Sequence, residues 1–220
     1  MDWKRARSTE QIESRKQEIL DVAYRLFEET EYDHITLNGI SRELQISKPS
    51  IYRYFSSREE IFLDIYGQEY EHFTKQLIEA LMELRSDPLP TEVSLIWVRI
   101  YRNHPKLLKL MPYLGIALEK NSSESSLRSF KAANIGLQEQ LAKQLTVLYP
   151  ILTIQDGFYI QYYVFLIASS LWTLSNPTEP LQKILGDYQH LNIDYSFNYV
   201  LTQGIEAHIN DSLQKKQKDA

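Results

Sequence analysis

The chain has 220 residues, 43% of them hydrophobic and 24% charged, with a formal net charge of −5 and no cysteine. That is enough apolar material for one large or two smaller domains, while the lack of cysteine excludes disulfides and thiolate-bound metals. The acidic balance excludes a protein whose whole surface binds nucleic acid, so any such contact must come from a local basic patch.

The first 17 residues are charged throughout and contain no apolar run. This predicts the absence of a secretory signal and residence in the cytoplasm. Lys4, Arg5 and Arg7 against Asp2 give this segment a local charge of +2. It is expected to be a solvated tail, with insertion of Arg5 and Arg7 into a minor groove as the lesser reading. Over residues 11–27, Ile12, Ile19, Leu20, Ala23, Leu26 and Phe27 share one face of a predicted first helix.

Residues 36–62, TLNGISRELQISKPSIYRYFSSREEIF, read as two short helices joined by a tight turn. Thr36 is a candidate cap for a helix carrying Leu37, Ile40 and Leu44 at spacings of three and four. Ser47 is a candidate cap for a second helix starting at Lys48, where Pro49 is tolerated because first-turn amides have no partner within the helix. Ile51 and Phe55 share the inner side of this second helix, and Pro49 and Arg53 point outward with Ser50 and Tyr52 beside them. Between Arg42 and Arg58 there are four cations and one acid, a local +3 interleaved with Tyr52 and Tyr54. A helix so furnished, braced by a preceding one, matches a helix-turn-helix whose second helix enters the major groove.

The run Ser47, Lys48, Ile51, Tyr52, Tyr54, Phe55, Arg58, Glu59, Glu60, Ile61, Phe62 resembles the signature of the tetracycline-repressor (TetR) family of bacterial transcriptional regulators. The resemblance covers about the first third of the chain, the size expected of a DNA-binding domain. Two positions depart from the family pattern. Leu44 and Gln45 stand where a small residue and glycine are usual, and Arg58 stands where lysine is usual. A left-handed Gln45 would carry roughly 1 kcal/mol of strain relative to glycine, which leaves the construction of the turn open.

Helical periodicity continues to the end of the chain, so the expected class is all-α: a helix-turn-helix domain over 1–56 and a larger ligand-binding and dimerisation domain over 57–220. Helices are predicted over 57–84, 91–102, 105–118 and 127–148, with a polar loop at 120–126. Residues 157–178 carry no charge, long enough to raise a membrane span as a rival. Seven polar residues from Gln155 to Asn176 dilute the run and no basic cluster flanks it, which favours a helix lying between its own core and a partner subunit. A last helix is predicted over 194–213, followed by a frayed polar tail.

The resemblance implies a homodimer whose last two long helices pair with their symmetry mates. From these helices Phe165, Ser169, Trp172, Phe197, Leu201, Gly204, Ile205 and His208 are the expected interface residues. It also implies a small-molecule effector enclosed by the second domain, for which Trp97, Tyr101, Tyr113, Phe130, Tyr159, Tyr162, Tyr163 and Trp172 are the candidate lining, ordinary core packing being the competing reading for each. The expected contacts with double-stranded DNA, an inverted-repeat operator, are Thr36, Ser47, Lys48, Pro49, Ser50, Tyr52, Arg53, Tyr54 and Arg58. Arg53 suits guanine, and Lys48, Tyr52, Tyr54 and Arg58 suit phosphate. No cofactor or metal is expected. The five histidines show no ligand spacing, and neither a phosphate loop nor a nucleophile elbow is present, so an enzyme has no sequence support. The alternative is a helical interaction module or a membrane-associated helical protein without sequence-specific DNA binding.

Overall fold

The computed structural model describes residues 2–187 and 194–219. Among these, every regular element is helical: α1 (Asp2–Glu29), α2 (Leu37–Glu43), α3 (Lys48–Ile51), α4 (Arg58–Met82), α5 (Pro90–Arg102), α6 (Pro105–Leu110), α7 (Glu124–Leu148), α8 (Ile154–Ser175), α9 (Glu179–Gly186) and α10 (Phe197–Asp219). A 3-10 turn at Tyr32–His34 and a π turn at Leu114–Leu118 complete the set.

The chain forms two compact units. One comprises residues 1–68 with 113–131, the other residues 69–112 with 132–220. In the first unit, α1 to α3 and the start of α4 enclose Ile19, Leu20, Ala23, Ile40, Ile51, Phe55, Ile61 and Phe62, all buried. An aromatic group of Phe27, Tyr32, Phe62 and Tyr113 extends this core, with the Tyr32 and Tyr113 rings 4.6 Å apart and Phe27 edge-on to Phe62 at 5.5 Å. Such contacts add to area burial and fix ring orientation.

In the second unit α10 packs against α8 and α5. Its buried stripe of Phe197, Leu201, Ile205 and Ile209 recurs at fours, as one face of a helix requires. Close approach depends on two glycines. A Cβ on Gly157 would lie 2.8 Å from the Cα of Ala142 on α7, and one on Gly204 would lie 2.9 Å from Ile167 Cδ1 on α8. Thr153 caps α8 through Asp156, the threonine hydroxyl accepting from the Asp156 amide at 3.2 Å while the carboxylate accepts from the Thr153 amide at 2.7 Å.

Several sequence expectations change. The N-terminal basic residues are not a trailing arm, because the backbone is helical from Asp2 onward. The helix expected over 105–118 is two pieces, α6 and the π turn. Residues 214–219, expected as a frayed tail, continue α10. The helix α9, with Leu181, Ile184 and Leu185 all exposed, had not been expected. Most of the charge-free run lies in α8, and among the described residues no helix is long and apolar enough to cross a membrane.

Candidate nucleic-acid interface

Thr36 caps α2 as the sequence indicates, its hydroxyl accepting the Gly39 amide at 3.0 Å. The turn that follows passes through Gln45 at φ 53°, in the left-handed region. The left-handed backbone that glycine adopts freely is held here by a residue with a β-carbon, at a cost in strain. Ser47 occupies the cap position of α3 without a side-chain cap bond, its hydroxyl pairing instead with that of Ser50 at 2.7 Å.

The recognition helix is short. Its regular part ends at Ile51, and Tyr52 to Tyr54 continue as hydrogen-bonded turns, the Tyr54 and Phe55 amides donating to the Ile51 carbonyl at 3.0 and 3.1 Å. Ile51 and Phe55 anchor it in the core. Lys48, Pro49, Tyr52 and Arg53 are exposed, Tyr52 by 50%, and Ser50 is half-buried. Among the described residues, the side chains of Lys48 and Arg53 have no hydrogen-bond or ion-pair partner, the Arg53 amide alone donating to the Ser50 carbonyl at 3.4 Å. Tyr54 is half-buried in a groove against Glu10, Gln11, Ser14, Arg15 and Glu18 of α1.

Arg58 departs from its expected place. Its side chain is only 22% exposed and turns back onto the chain between α1 and α2. One terminal nitrogen donates to the carbonyls of Tyr32, Asp33 and Ile35 at 2.8, 3.1 and 2.7 Å, and Nε donates to Glu59 at 2.9 Å. The guanidinium also lies 4.5 Å from the centroid of the Tyr32 ring, a cation–π contact. Burial works against its charge, but Glu59, the Tyr32 hydroxyl and Asp33 outweigh burial and raise its pKa. With one terminal nitrogen on three carbonyls, the guanidinium braces the 3-10 turn, a role the sequence did not indicate. The sequence assigned it to DNA because a cation after an aromatic pair looks exposed when the carbonyls it closes upon lie more than 20 residues earlier.

A concavity of about 460 Å³ is lined by Arg58 together with Thr36, Asn38, Tyr52, Ser57, Asp33 and Glu59. It brings Thr36 and Tyr52 together, as a shared phosphate contact would require, and adds Asn38, which sequence reasoning missed. Its signal is modest: a polar residue two places after a capping threonine, in the first turn of the bracing helix.

The expected effector residues do not converge. Trp97 and Tyr101 are buried in the second unit, where Tyr101 stacks on Phe73 at 4.3 Å. Tyr113 and Phe130 belong to the first unit, beside Tyr32 and Tyr66 respectively. Tyr159, Tyr162 and Tyr163 are exposed on α8, and Trp172 meets Phe197 edge-on at 5.5 Å. Aromatic abundance marks faces of helices but not which way each face turns. The expected interface residues divide in the same way. Phe197, Leu201 and Ile205 are buried inside the protomer, Gly204 seats Ile167, and Phe165, Ser169, Trp172 and His208 are half-buried. The apolar side chains that α8 leaves exposed are Ile154, Tyr159, Tyr162, Tyr163, Leu166 and Leu174.

A capped bracing helix, a left-handed turn and a short helix with an exposed cationic and aromatic end define a helix-turn-helix DNA-binding protein. Residues 19–65 match the family model described as bacterial regulatory proteins, tetR family, and residues 67–213 match the tetracyclin repressor-like C-terminal domain. The chain belongs to the TetR family of transcriptional regulators, which are not enzymes. It is 28% identical over 130 residues to the biofilm operon icaADBC HTH-type negative transcriptional regulator IcaR of Staphylococcus epidermidis, covering 58% of this chain and 68% of that protein. Its fold is similar to a TetR/AcrR family regulator from Thermobifida fusca, with TM-score 0.57 at 18% identity, covering 90% of this chain and 97% of the other. It is also similar to Thermus thermophilus FadR, a TetR family repressor in complex with lauroyl-CoA, with TM-score 0.59 at 19% identity over 90% and 93% of the two chains.

Proposed function

We propose that the chain is a homodimeric, sequence-specific repressor that leaves its operator when a small molecule binds its second unit. The observation that carries this reading is the exposed, unpaired Lys48 and Arg53 flanking Tyr52 on a helix pinned from beneath by Ile51 and Phe55. Arg53 reads base edges, with Pro49 and Ser50 beside it. Lys48, Tyr52, Thr36 and Asn38 hold phosphates. The exposed Tyr159, Tyr162 and Leu166 of α8 supply the surface for a second copy, since aromatic and aliphatic side chains clustered on one face favour an interface.

The interior of the second unit supports an effector of mixed character. Thr74, Ser94, Asn134 and Gln161 are buried among aliphatic and aromatic side chains. Gln161 donates to the Gln138 and Gly157 carbonyls at 2.9 and 3.1 Å while its carbonyl oxygen has no hydrogen-bond partner among the described residues. An apolar molecule able to donate a hydrogen bond suits that interior. FadR, of similar fold, was solved with an acyl-CoA.

The test is a reporter gene placed behind a DNA site selected by the purified protein, with sedimentation of the protein on that site. Two protomers per inverted repeat and lowered reporter output are expected. One protomer per site would overturn the dimer, and raised output would overturn the repressor.

A further inference from the structure

The carboxylate of Glu60, 6% exposed, is a buried charge of the first unit engaged on both oxygens. One oxygen accepts the Ser56 amide at 2.7 Å, just after Phe55 ends the recognition segment. The other accepts the Ser123 amide at 3.1 Å and the Ser126 hydroxyl at 3.0 Å, at the cap and first turns of α7. Beside it the Ser57 hydroxyl accepts the Glu60 amide at 3.2 Å and donates to the Asn121 carbonyl at 3.3 Å. Burial alone would raise the pKa of this carboxyl, but the hydrogen bonds from Ser123 and Ser56 outweigh it and bring it down to about 2, so the group is a carboxylate at any physiological pH.

The division of the two oxygens is the informative point. A glutamate at the third position of a helix commonly turns back to cap its own N-terminus, and one oxygen of Glu60 does so. The second oxygen serves a helix more than 60 residues away in sequence. That helix, α7, runs on from the first unit into the second as far as Leu148.

We infer that Glu60 is a positioning residue through which the first turn of α7 sets the placement of Tyr52 to Phe55, so that a movement of α7 reaches the recognition segment directly and not only along α4. This rests on the regulatory reading above and names its route. A buried carboxylate holds its partners strongly because releasing either side leaves a desolvated charge underserved. The Ser56 amide and the α7 turn are therefore bound to move together.

The test is hydrogen exchange on the full-length protein, free of DNA, for wild type and the variants Glu60→Gln, Ser126→Ala and Ser126→Thr. The coupling predicts that Ser126→Ala, which leaves the α4 cap intact, speeds exchange over residues 52–57 by roughly 10-fold or more, as loss of one charge-assisted hydrogen bond implies. Ser126→Thr keeps a hydroxyl and should hold the wild-type rate, while segments of α8 stay unchanged in all variants. If Ser126→Ala leaves residues 52–57 within about twofold of wild type, Glu60 is only a helix cap and the inference fails. Should Glu60→Gln not fold, the two Ser126 variants decide the matter alone. Because no DNA is involved, failure to find an operator would overturn the functional reading without touching this result, and the reverse also holds.

Discussion

Replacing Arg58 by alanine separates bracing from DNA contact. The side chain donates three hydrogen bonds to the carbonyls of Tyr32, Asp33 and Ile35, two of them part-buried, and stands over the Tyr32 ring. A hydrogen bond to a charged group contributes about 1.5–3 kcal/mol when well buried. The Asp33 carbonyl bond is exposed, and its ion pair with the Asp33 carboxylate is long at 3.6 Å, on a side chain that is 89% exposed, so both contribute little. Discounting these leaves a loss of roughly 2–4 kcal/mol on truncation, a large part of the 5–15 kcal/mol typical of a domain. Arg58→Lys should recover less than half, since an ammonium lacks the Nε donor to Glu59 and the planar face over the Tyr32 ring. Urea unfolding followed by circular dichroism gives the stability, and operator affinity at several salt concentrations gives the charge count. The expected result is a lowered midpoint with an unchanged salt slope. Stability within about 0.5 kcal/mol of wild type, with the slope reduced by about 0.9, would mean that Arg58 leaves its carbonyls for a phosphate and would refute the reasoning.

Gln45→Gly should raise stability by a few tenths to about 1 kcal/mol, because relief of the left-handed strain exceeds the added entropy of the unfolded chain; a lower thermal midpoint would contradict the strain argument. Gly157→Ala should destabilise by about 1–3 kcal/mol, since the new methyl would lie 2.8 Å from backbone of α7, and a denaturation midpoint equal to wild type would show that the two helices can part without cost. Acid should weaken the first unit through Glu60. Its pKa is lowered in the fold to about 2 from 4.5, so its stabilisation, on the order of 3 kcal/mol, is complete above pH 4.5 and is lost as pH falls towards 2. The difference in stability between wild type and Glu60→Gln should shrink over that window, and a constant difference would count against it.

The helix-turn-helix was legible because each of its signals is local. Thr36 lies three residues before the amide it caps, and Ile51 and Phe55 are four apart. The positions that misled depend on partners far away in sequence. The inward turn of Arg58 needs the carbonyls of a 3-10 turn that has no hydrophobic period to announce it. Phe197, Leu201 and Ile205 form a clean stripe, but a stripe does not say whether it meets the protomer's own α8 and α5 or a second subunit. The aromatics of α8 show the reverse case, since Tyr159, Tyr162 and Tyr163 lie on the open side of a helix that is apolar nearly all round. An acid at the third position of a helix, like Glu60, is commonplace in a sequence, and its second oxygen's partners at Ser123 and Ser126 are visible only in the fold.

The central claim is that the exposed end of the recognition helix reads DNA sequence. Its most direct test is selection of genomic fragments by the purified protein at about 0.15 M salt, where non-specific attraction is weakened, carried out in parallel for wild type and Arg53→Ala. An inverted repeat with half-sites on one face of the duplex is expected for wild type, and loss of preference at one position in each half-site for the variant. No enriched sequence with folded wild-type protein, or the same repeat with undiminished preference from both proteins, would contradict it.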